Sequence, residues 1–222
     1  MIKTIIFDFD GVIAESVQVK TNAFIDMYRP HGQDVVQKVF KHNIEHGGVS
    51  RFDKFKKYHK EFLGIDLAEQ EVEDMAKRFS NLVVDKVISV PYVKGAYEFI
   101  SKKYKSYDLF ISSATPNDEI LKIVKARGLL KFFKGVYGSP EKKYKHVQKI
   151  IKRNNCNKME VIFMGDSLSD FHAASCNNID FIARIENQNE NPFEGVKIKY
   201  SLEDLTSLNQ LISSISLHNN EF

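Results

Sequence analysis

Residues 1–16 read MIKTIIFDFDGVIAES. The apolar run IKTIIF (2–7) ends on two aspartates, Asp8 and Asp10, one residue apart, and Gly11 follows at once. The run does not alternate between apolar and polar residues, which is the pattern of a strand buried on both faces. Similar runs recur as YDLFIS (107–112), VIFM (161–164), DFIA (180–183) and a weaker GVYG (135–138). Helical patterns separate them. After ISSATP, the stretch NDEILKIVKARGLL predicts a helix capped by Asn117 and ended by Gly128. After GSPEKK, KHVQKIIKRN sets Val147, Ile150 and Ile151 at helical spacing.

Strands that alternate with helices predict an α/β fold with a Rossmann-like parallel sheet covered on both faces. Ligands of such sheets sit beyond the carboxyl ends of the strands, and Asp8 stands at one such end. Residues 16–88 break the rhythm. They hold no convincing strand but several helical stretches, among them TNAFIDMY, VVQKVF and FDKFKKYHKEFL. Phe52, Phe55, His59, Phe62 and Leu63 fall on one helical stripe of that segment. This is more chain than one crossover needs. The expected organisation is a core domain of residues 1–15 and 89–222 and an inserted helical cap domain of residues 16–88. Hinges are expected near Ala14–Val17 and Ile88–Tyr92, where Pro91 and Gly95 punctuate the chain. From about Glu186 the tail is polar and then Leu-rich, which suggests a last edge element and a closing helix.

Composition narrows the function. The 222 residues are 43% hydrophobic and 27% charged, the profile of an ordinary globular protein rather than a disordered or fibrous one. The net charge of +3 is too small to predict nucleic-acid or membrane binding by field alone. Lysine-rich stretches such as KFKKYHK (54–60) and KKYK (102–105) read as solvated helix faces. Cys156 and Cys176 lie far apart without a metal-binding spacing, so free thiols are expected. No apolar segment is long enough to span a membrane, and the first run is broken by Asp8, unlike a signal peptide. A cytoplasmic protein is the expectation.

Four strand ends carry the polar residues of interest. They hold Asp8 and Asp10; Ser112, Ser113 and Thr115; Lys142 and Lys143; and Asp166 and Asp170 of GDSLSD. A parallel sheet brings all four sets to one edge. Carboxylates crowded there repel and raise one another's pKa unless a cation neutralises them. Oxygen-only ligands point to Mg²⁺, which commonly shares its sphere with a substrate phosphate. A lysine and a hydroxyl suit the same phosphoryl group. The chemistry that fits is phosphoryl transfer with a carboxylate as nucleophile.

DFDGV, ISSATP, the lysines of GSPEKK and GDSLSD resemble, in order and spacing, the four motifs of the haloacid dehalogenase (HAD) superfamily. The helical insertion is similar to the small cap of its phosphoglycolate phosphatase and β-phosphoglucomutase-like members. The resemblance covers the chain up to about residue 185. It implies that Asp8 is the nucleophile and a Mg²⁺ ligand. It makes Asp10 the acid and then the base, with its main-chain carbonyl on the metal. Ser113 would donate to a phosphoryl oxygen, Asp166 would complete the metal site, and Asp170 would support it directly or through water. Main-chain N–H groups near Gly11 and Ala114 would hold further oxygens. The form GSPxxK selects Lys143 as the active-site lysine, with Lys142 as the alternative.

The cap stretch HGGVSRFDKF offers Ser50 and Asp53 as a capping box and Arg51 as a substrate-binding cation. The resemblance to the GxSR stretch of the β-phosphoglucomutase cap supports Arg51 in that role. In that mutase a histidine ten residues after the acid/base aspartate helps orient it, whereas Lys20 stands there in this chain. This departure favours water as acceptor. His172 reads as a helix residue without a catalytic part. The expectation is therefore a Mg²⁺-dependent phosphatase of a small phosphorylated metabolite, a monomer or weak dimer without nucleic-acid or membrane partners. The alternatives are a phosphomutase of the same fold and a phosphometabolite-binding regulator. A dehalogenase is disfavoured by the acid at position 10.

Overall fold

The computed structural model describes residues 1–187 and 191–218. Its strands are β1 (Thr4–Phe7), β2 (Asp108–Pro116), β3 (Gly135–Ser139), β4 (Val161–Gly165), β5 (Asp180–Arg184) and β6 (Tyr200–Leu202). They form one parallel sheet in the order β3-β2-β1-β4-β5-β6. Every residue of β1 is buried, as its unbroken apolar run requires. Ile5 and Phe7 enter the core on one face of the sheet and Ile6 on the other. Each such side chain contributes roughly 1.5–3 kcal/mol by leaving water.

Helices α1 (Val17–Tyr28), α2 (Gln33–Glu45), α3 (Arg51–Tyr58) and α4 (Glu69–Ser89) all lie between β1 and β2, followed by α5 (Ala96–Lys103). The remaining helices are α6 (Asn117–Ala126), α7 (Lys143–Arg153), α8 (Leu168–Ser175) and α9 (Leu208–His218). Side chains of α5, α6 and α9 pack with Ile5 and Phe7, and those of α7 and α8 pack with Ile6, so both faces are covered. The polar tail resolves into the edge strand β6 and the closing helix α9.

Helices α1, α3 and α4 share an aromatic centre in which the ring of Phe24 lies tilted against Phe79 at 4.4 Å and Phe55 at 5.5 Å between centroids. Of the predicted stripe, Phe55 and His59 are buried while Phe52, Phe62 and Leu63 are half-buried. Tyr58 is fully buried instead. Tyr58 shares the i, i+3, i+4 stripe of α3 with Lys54 and Phe55, and His59–Leu63 form a π-helical turn that changes the period before Phe62 and Leu63. The outgoing and returning chains run side by side below this unit. Val93 N donates to Ile13 O, Glu15 N donates to Pro91 O, and Ala14 bridges Tyr92.

One predicted cap is absent. Asn117 begins α6 but makes no capping bond, because its carboxamide oxygen accepts from Gly138 N at 3.1 Å and ties α6 to β3. Gly128 does adopt the left-handed conformation just past α6 (φ 69°).

Candidate active site

Register sets the site. Phe7 pairs with Ile111 of β2 and Met164 of β4, so Asp8 leaves the sheet level with Ser112 and Gly165. The strand order reverses between β1 and β4, and a parallel sheet opens its ligand crevice at such a point. Asp8, Asp10, Ala114, Thr115 and Asp166 line a cleft there, with a cavity volume of about 70 Å³. Its opposite wall is made by α1 to α4, through Lys20, Asn43, Arg51, Lys54 and Phe79.

Lys143 opens α7 and is buried. Its ammonium lies 2.6 Å from Asp8 Oδ2 and 2.7 Å from Asp170 Oδ1. Lys142, the alternative, points elsewhere and is 2.6 Å from Asp53 of α3. Burial works against the charge on Lys143, but Asp170 and Asp8 outweigh it and raise its pKa. Asp170 also accepts from Ser167 N and Ser167 Oγ, so one carboxylate both caps α8 and fixes the lysine.

Asp8, Asp166 and Asp170 offer carboxylate oxygens within 4.8 Å of one another. In the protein by itself this crowding is unfavourable. Burial, then Asp170, push Asp166 up to about 7 against the pull of Lys143. Burial also raises Asp8 well above the usual carboxylate range, with Lys143 opposing and Asp170, Asp166 and Asp10 adding to the rise. Three hard oxygen donors whose repulsion a divalent cation would relieve fit Mg²⁺.

Asp10 is handled differently. Ser16 Oγ donates to its Oδ1 at 2.6 Å, and Lys20 Nζ and Thr115 Oγ1 donate to its Oδ2 at 2.5 and 3.2 Å. Lys20 Nζ also donates to Thr115 Oγ1 at 2.6 Å. Burial lifts the pKa of Asp10, but the Lys20 charge and the bonds from Lys20 and Ser16 prevail and lower it. Two carboxylates separated by a single residue are thus driven in opposite directions.

Ser113 Oγ faces Asp10 Oδ2 at 3.5 Å and accepts from Thr115 N at 3.1 Å. Ser112, one residue earlier, points to the other face of the sheet, where it meets His146 Nδ1 at 2.9 Å. Gly11 corrects an expectation. Its N–H donates to Ala14 O at 2.9 Å and is not free for a ligand. Its role is spatial: with φ at 70°, a Cβ there would stand 2.1 Å from Asp166 Oδ2.

Arg51 also differs from expectation. It lines the cleft, but its guanidinium is taken by Glu119 of α6 at 2.5 and 2.9 Å and by Ser80 at 2.7 Å. Ser50 and Asp53 do form the capping pair that starts α3. Arg51–Glu119 and Lys142–Asp53 both join the helical insertion to the sheet side of the molecule. Gly48 sits so close to the start of α8 that a Cβ would fall 2.0 Å from Ser169 Oγ and 2.3 Å from Ser167 Oγ.

Sequence reasoning missed four contributors. Lys20 stands in the sequence only as a departure from the mutase pattern, yet it makes the contact to Asp10. Lys54 is buried on the same stripe of α3 as Arg51, Phe55 and Tyr58, and that placement was its available signal. Asn43 is buried on α2 and accepts from Lys54 at 2.5 Å. Arg184, at the end of β5, donates to Gly11 O at 2.9 Å and clasps Glu15 at 2.8 and 3.0 Å, bracing the loop after β1. No local pattern marks that last contact.

Among solved structures, β-phosphoglucomutase from Clostridium difficile superposes with a TM-score of 0.78 at 20% identity, covering 100% of this chain and 98% of that one. A predicted phosphoglycolate phosphatase from Haemophilus somnus gives 0.72 at 15% identity, over 95% and 98% of the two chains. The HAD-type protein YfnB from Bacillus subtilis, solved bound to magnesium, gives 0.69 at 17% identity, over 96% and 99%. At these identities the likeness speaks for the fold. No curated relative matches the chain significantly. Residues 5–184, which span β1 to β5 and every strand-end group described above, match the haloacid dehalogenase-like hydrolase family, and the chain belongs to it.

Proposed function

We propose that the protein is a Mg²⁺-dependent phosphatase of a small phosphorylated metabolite, working through an aspartyl-phosphate on Asp8. The observation that carries this reading is the opposed treatment of the two neighbouring acids. Asp8 sits with Lys143, Asp166 and Asp170 at a cation-sized cluster, while Asp10 is held apart by Ser16, Lys20 and Thr115. One carboxylate is placed for phosphorus and the other for a proton.

In this reading an Asp8 oxygen attacks phosphorus as the bond to the leaving oxygen breaks, and Asp10 gives that oxygen its proton. Water then attacks the aspartyl-phosphate, Asp10 takes the proton, and the Asp8–phosphorus bond breaks to release phosphate. Asp10 is ionised at rest, because Lys20 stabilises its charge. An arriving phosphoryl dianion raises its proton affinity and makes it an acid for the first step. Lys143 holds the Asp8 carboxylate and neutralises phosphoryl charge, and Ser113 donates to a phosphoryl oxygen. Asp8, Asp166, Asp170 and the Asp10 carbonyl would hold Mg²⁺, which supplies positive charge to the phosphoryl oxygens when bound.

Residues 16–88 act as a cap domain over a core of residues 1–15 and 89–222, shutting a small substrate away from bulk water. The free thiols of Cys156 and Cys176 accord with a reducing, cytoplasmic setting. Among the described residues no helix is long and apolar enough to cross a membrane.

A phosphomutase is the second reading. Lys20 makes the aspartate contact that its place in the sequence suggested was lost, and one structural neighbour is a β-phosphoglucomutase. The test of both is phosphate release from a panel of phosphorylated metabolites with and without Mg²⁺, alongside isomerisation of hexose phosphates. Metal-dependent release with no isomerisation is the expected result. Isomerisation without net release would replace the first reading by the second.

A further inference from the structure

Lys54 is the one lysine on the buried stripe of α3, and 2% of its surface is exposed. It lines the cleft on the wall facing Asp8 and Asp10. Its hydrogen bond runs to Asn43 Oδ1 at 2.5 Å, and Phe24 lies beneath the ammonium at 5.2 Å from the ring centroid. An ammonium has three donors and no acceptor, so two N–H bonds remain to be matched. Among the described residues no carboxylate forms an ion pair with Lys54, in contrast to Lys20 and Arg51 in the same cleft.

Asn43 is fixed as well. Its Nδ2 donates to Thr21 Oγ1 at 2.8 Å, and Thr21 Oγ1 donates to Val17 O at 2.9 Å. The chain Val17–Thr21–Asn43 therefore turns the carboxamide oxygen toward Lys54 and holds the ammonium in place. A buried, oriented cation without a counter-charge is costly to keep unless a ligand supplies one. Its pKa reflects the cost: burial, then the Lys20 charge, bring it down to about 7, with Asp166 opposing.

Building on the phosphatase reading, we propose that Lys54, oriented by Asn43, binds a second anionic oxygen group at the far end of the substrate, so that the preferred substrate is a phosphomonoester carrying a second negative charge. Arg51 does not compete for this role, since Glu119 already engages both of its terminal nitrogens. The cleft that Lys54 shares with Asp8 and Asp10 is small, about 70 Å³, which favours a short ester over a long one.

The test compares matched pairs of short phosphate esters that end in a carboxylate or in a hydroxyl, phosphoglycolate against 2-hydroxyethyl phosphate being the smallest. A diol bisphosphate serves as a third arm. Binding is measured by calorimetry and hydrolysis by phosphate release, for the unmodified protein, Lys54→Met and Lys54→Arg. The expected result is a preference for the carboxylate or bisphosphate over the hydroxyl ester that falls at least about 20-fold in Lys54→Met and is partly restored in Lys54→Arg. The bisphosphate arm tells which anion fits better, and either preference supports the proposal if it depends on Lys54. An equal preference in Lys54→Met and unmodified protein, or tighter binding of the hydroxyl ester, would overturn it. Calorimetry keeps the two ideas apart, because Lys54-dependent binding without any hydrolysis would fault the phosphatase reading and leave this subsite standing.

Discussion

Lys20 Nζ lies 2.5 Å from Asp10 Oδ2 and 2.6 Å from Thr115 Oγ1, so α1, in the helical insertion between β1 and β2, reaches the proposed acid/base. The contact spans α1 and the ends of β1 and β2, and makes Lys20 a positioning residue for Asp10.

Lys20→Met is expected to release Asp10 from the cation that lowers its pKa. The acidic limb of the pH–rate profile should move to higher pH, and kcat should fall by about 10²-fold. A lysine that served only packing would leave the limb where it was. The measurement is kcat and KM from pH 4.5 to 8 for both proteins, with Lys20→Arg as the charge-retaining control.

Mg²⁺ binding should be linked to protons. Asp166 holds its proton up to about pH 7, and a cation must displace it. Affinity for Mg²⁺ therefore rises with pH between about 5.5 and 8, and binding at pH 6 releases protons. Calorimetry in two buffers of different ionisation enthalpy reads this directly. Identical heats in both buffers would contradict it. Added Mg²⁺ should also raise the melting temperature in proportion to its logarithmic concentration.

Most of the frame was legible in the sequence because buried parallel strands announce themselves as unbroken apolar runs. β1, β2, β4 and β5 all follow such runs, and Asp8 and Asp166 stand just past the ends of β1 and β4. Asp8 and Asp166 could be placed from the motifs alone. What could not be read were contacts made across the fold. Lys54–Asn43 joins α3 to α2, Arg184–Glu15 joins β5 to the first loop, and Arg51–Glu119 removes a cation that looked free. Each depends on which side chains the packing brings together, which no local spacing encodes. Nor does the motif say that Asp166 occupies the space where a side chain at Gly11 would be.

Gly48→Val should impair catalysis more than folding. The loop between α2 and α3 meets Ser167 and Ser169 where only a hydrogen fits, so a valine would push that loop off the start of α8. Incomplete closure admits water and misplaces the substrate, and a loss of about 10²-fold in kcat/KM is expected. A melting temperature near that of the parent, measured beside the kinetics, distinguishes this from unfolding. Unchanged kcat/KM would contradict the proposed closure.

Acid sensitivity should trace in part to His146, which is 1% exposed and bonded to Ser112 through Nδ1. Burial lowers its pKa to about 4, whereas the unfolded chain titrates near its ordinary value. Between those limits the unfolded state binds more protons. The stabilisation is therefore fully present above about pH 6.5 and is lost as the pH falls toward 4, up to about 3 kcal/mol. Urea unfolding at several pH values, for the parent and His146→Gln, checks the sign. The variant should show a shallower loss over that range, and parallel curves would exclude His146 as a cause.

The central claim is that Asp8 takes the phosphoryl group and Asp10 is needed to pass it to water. The most direct measurement is the mass of the peptide containing Asp8 after brief incubation of Asp10→Asn protein with Mg²⁺ and an activated phosphate donor such as acetyl phosphate, followed by acid quench. The account predicts a gain of one phosphoryl group on Asp8, absent when Asp8→Asn is combined with Asp10→Asn. Phosphate release that persists in Asp8→Asn protein, or a phosphoryl group found on another residue, would contradict it.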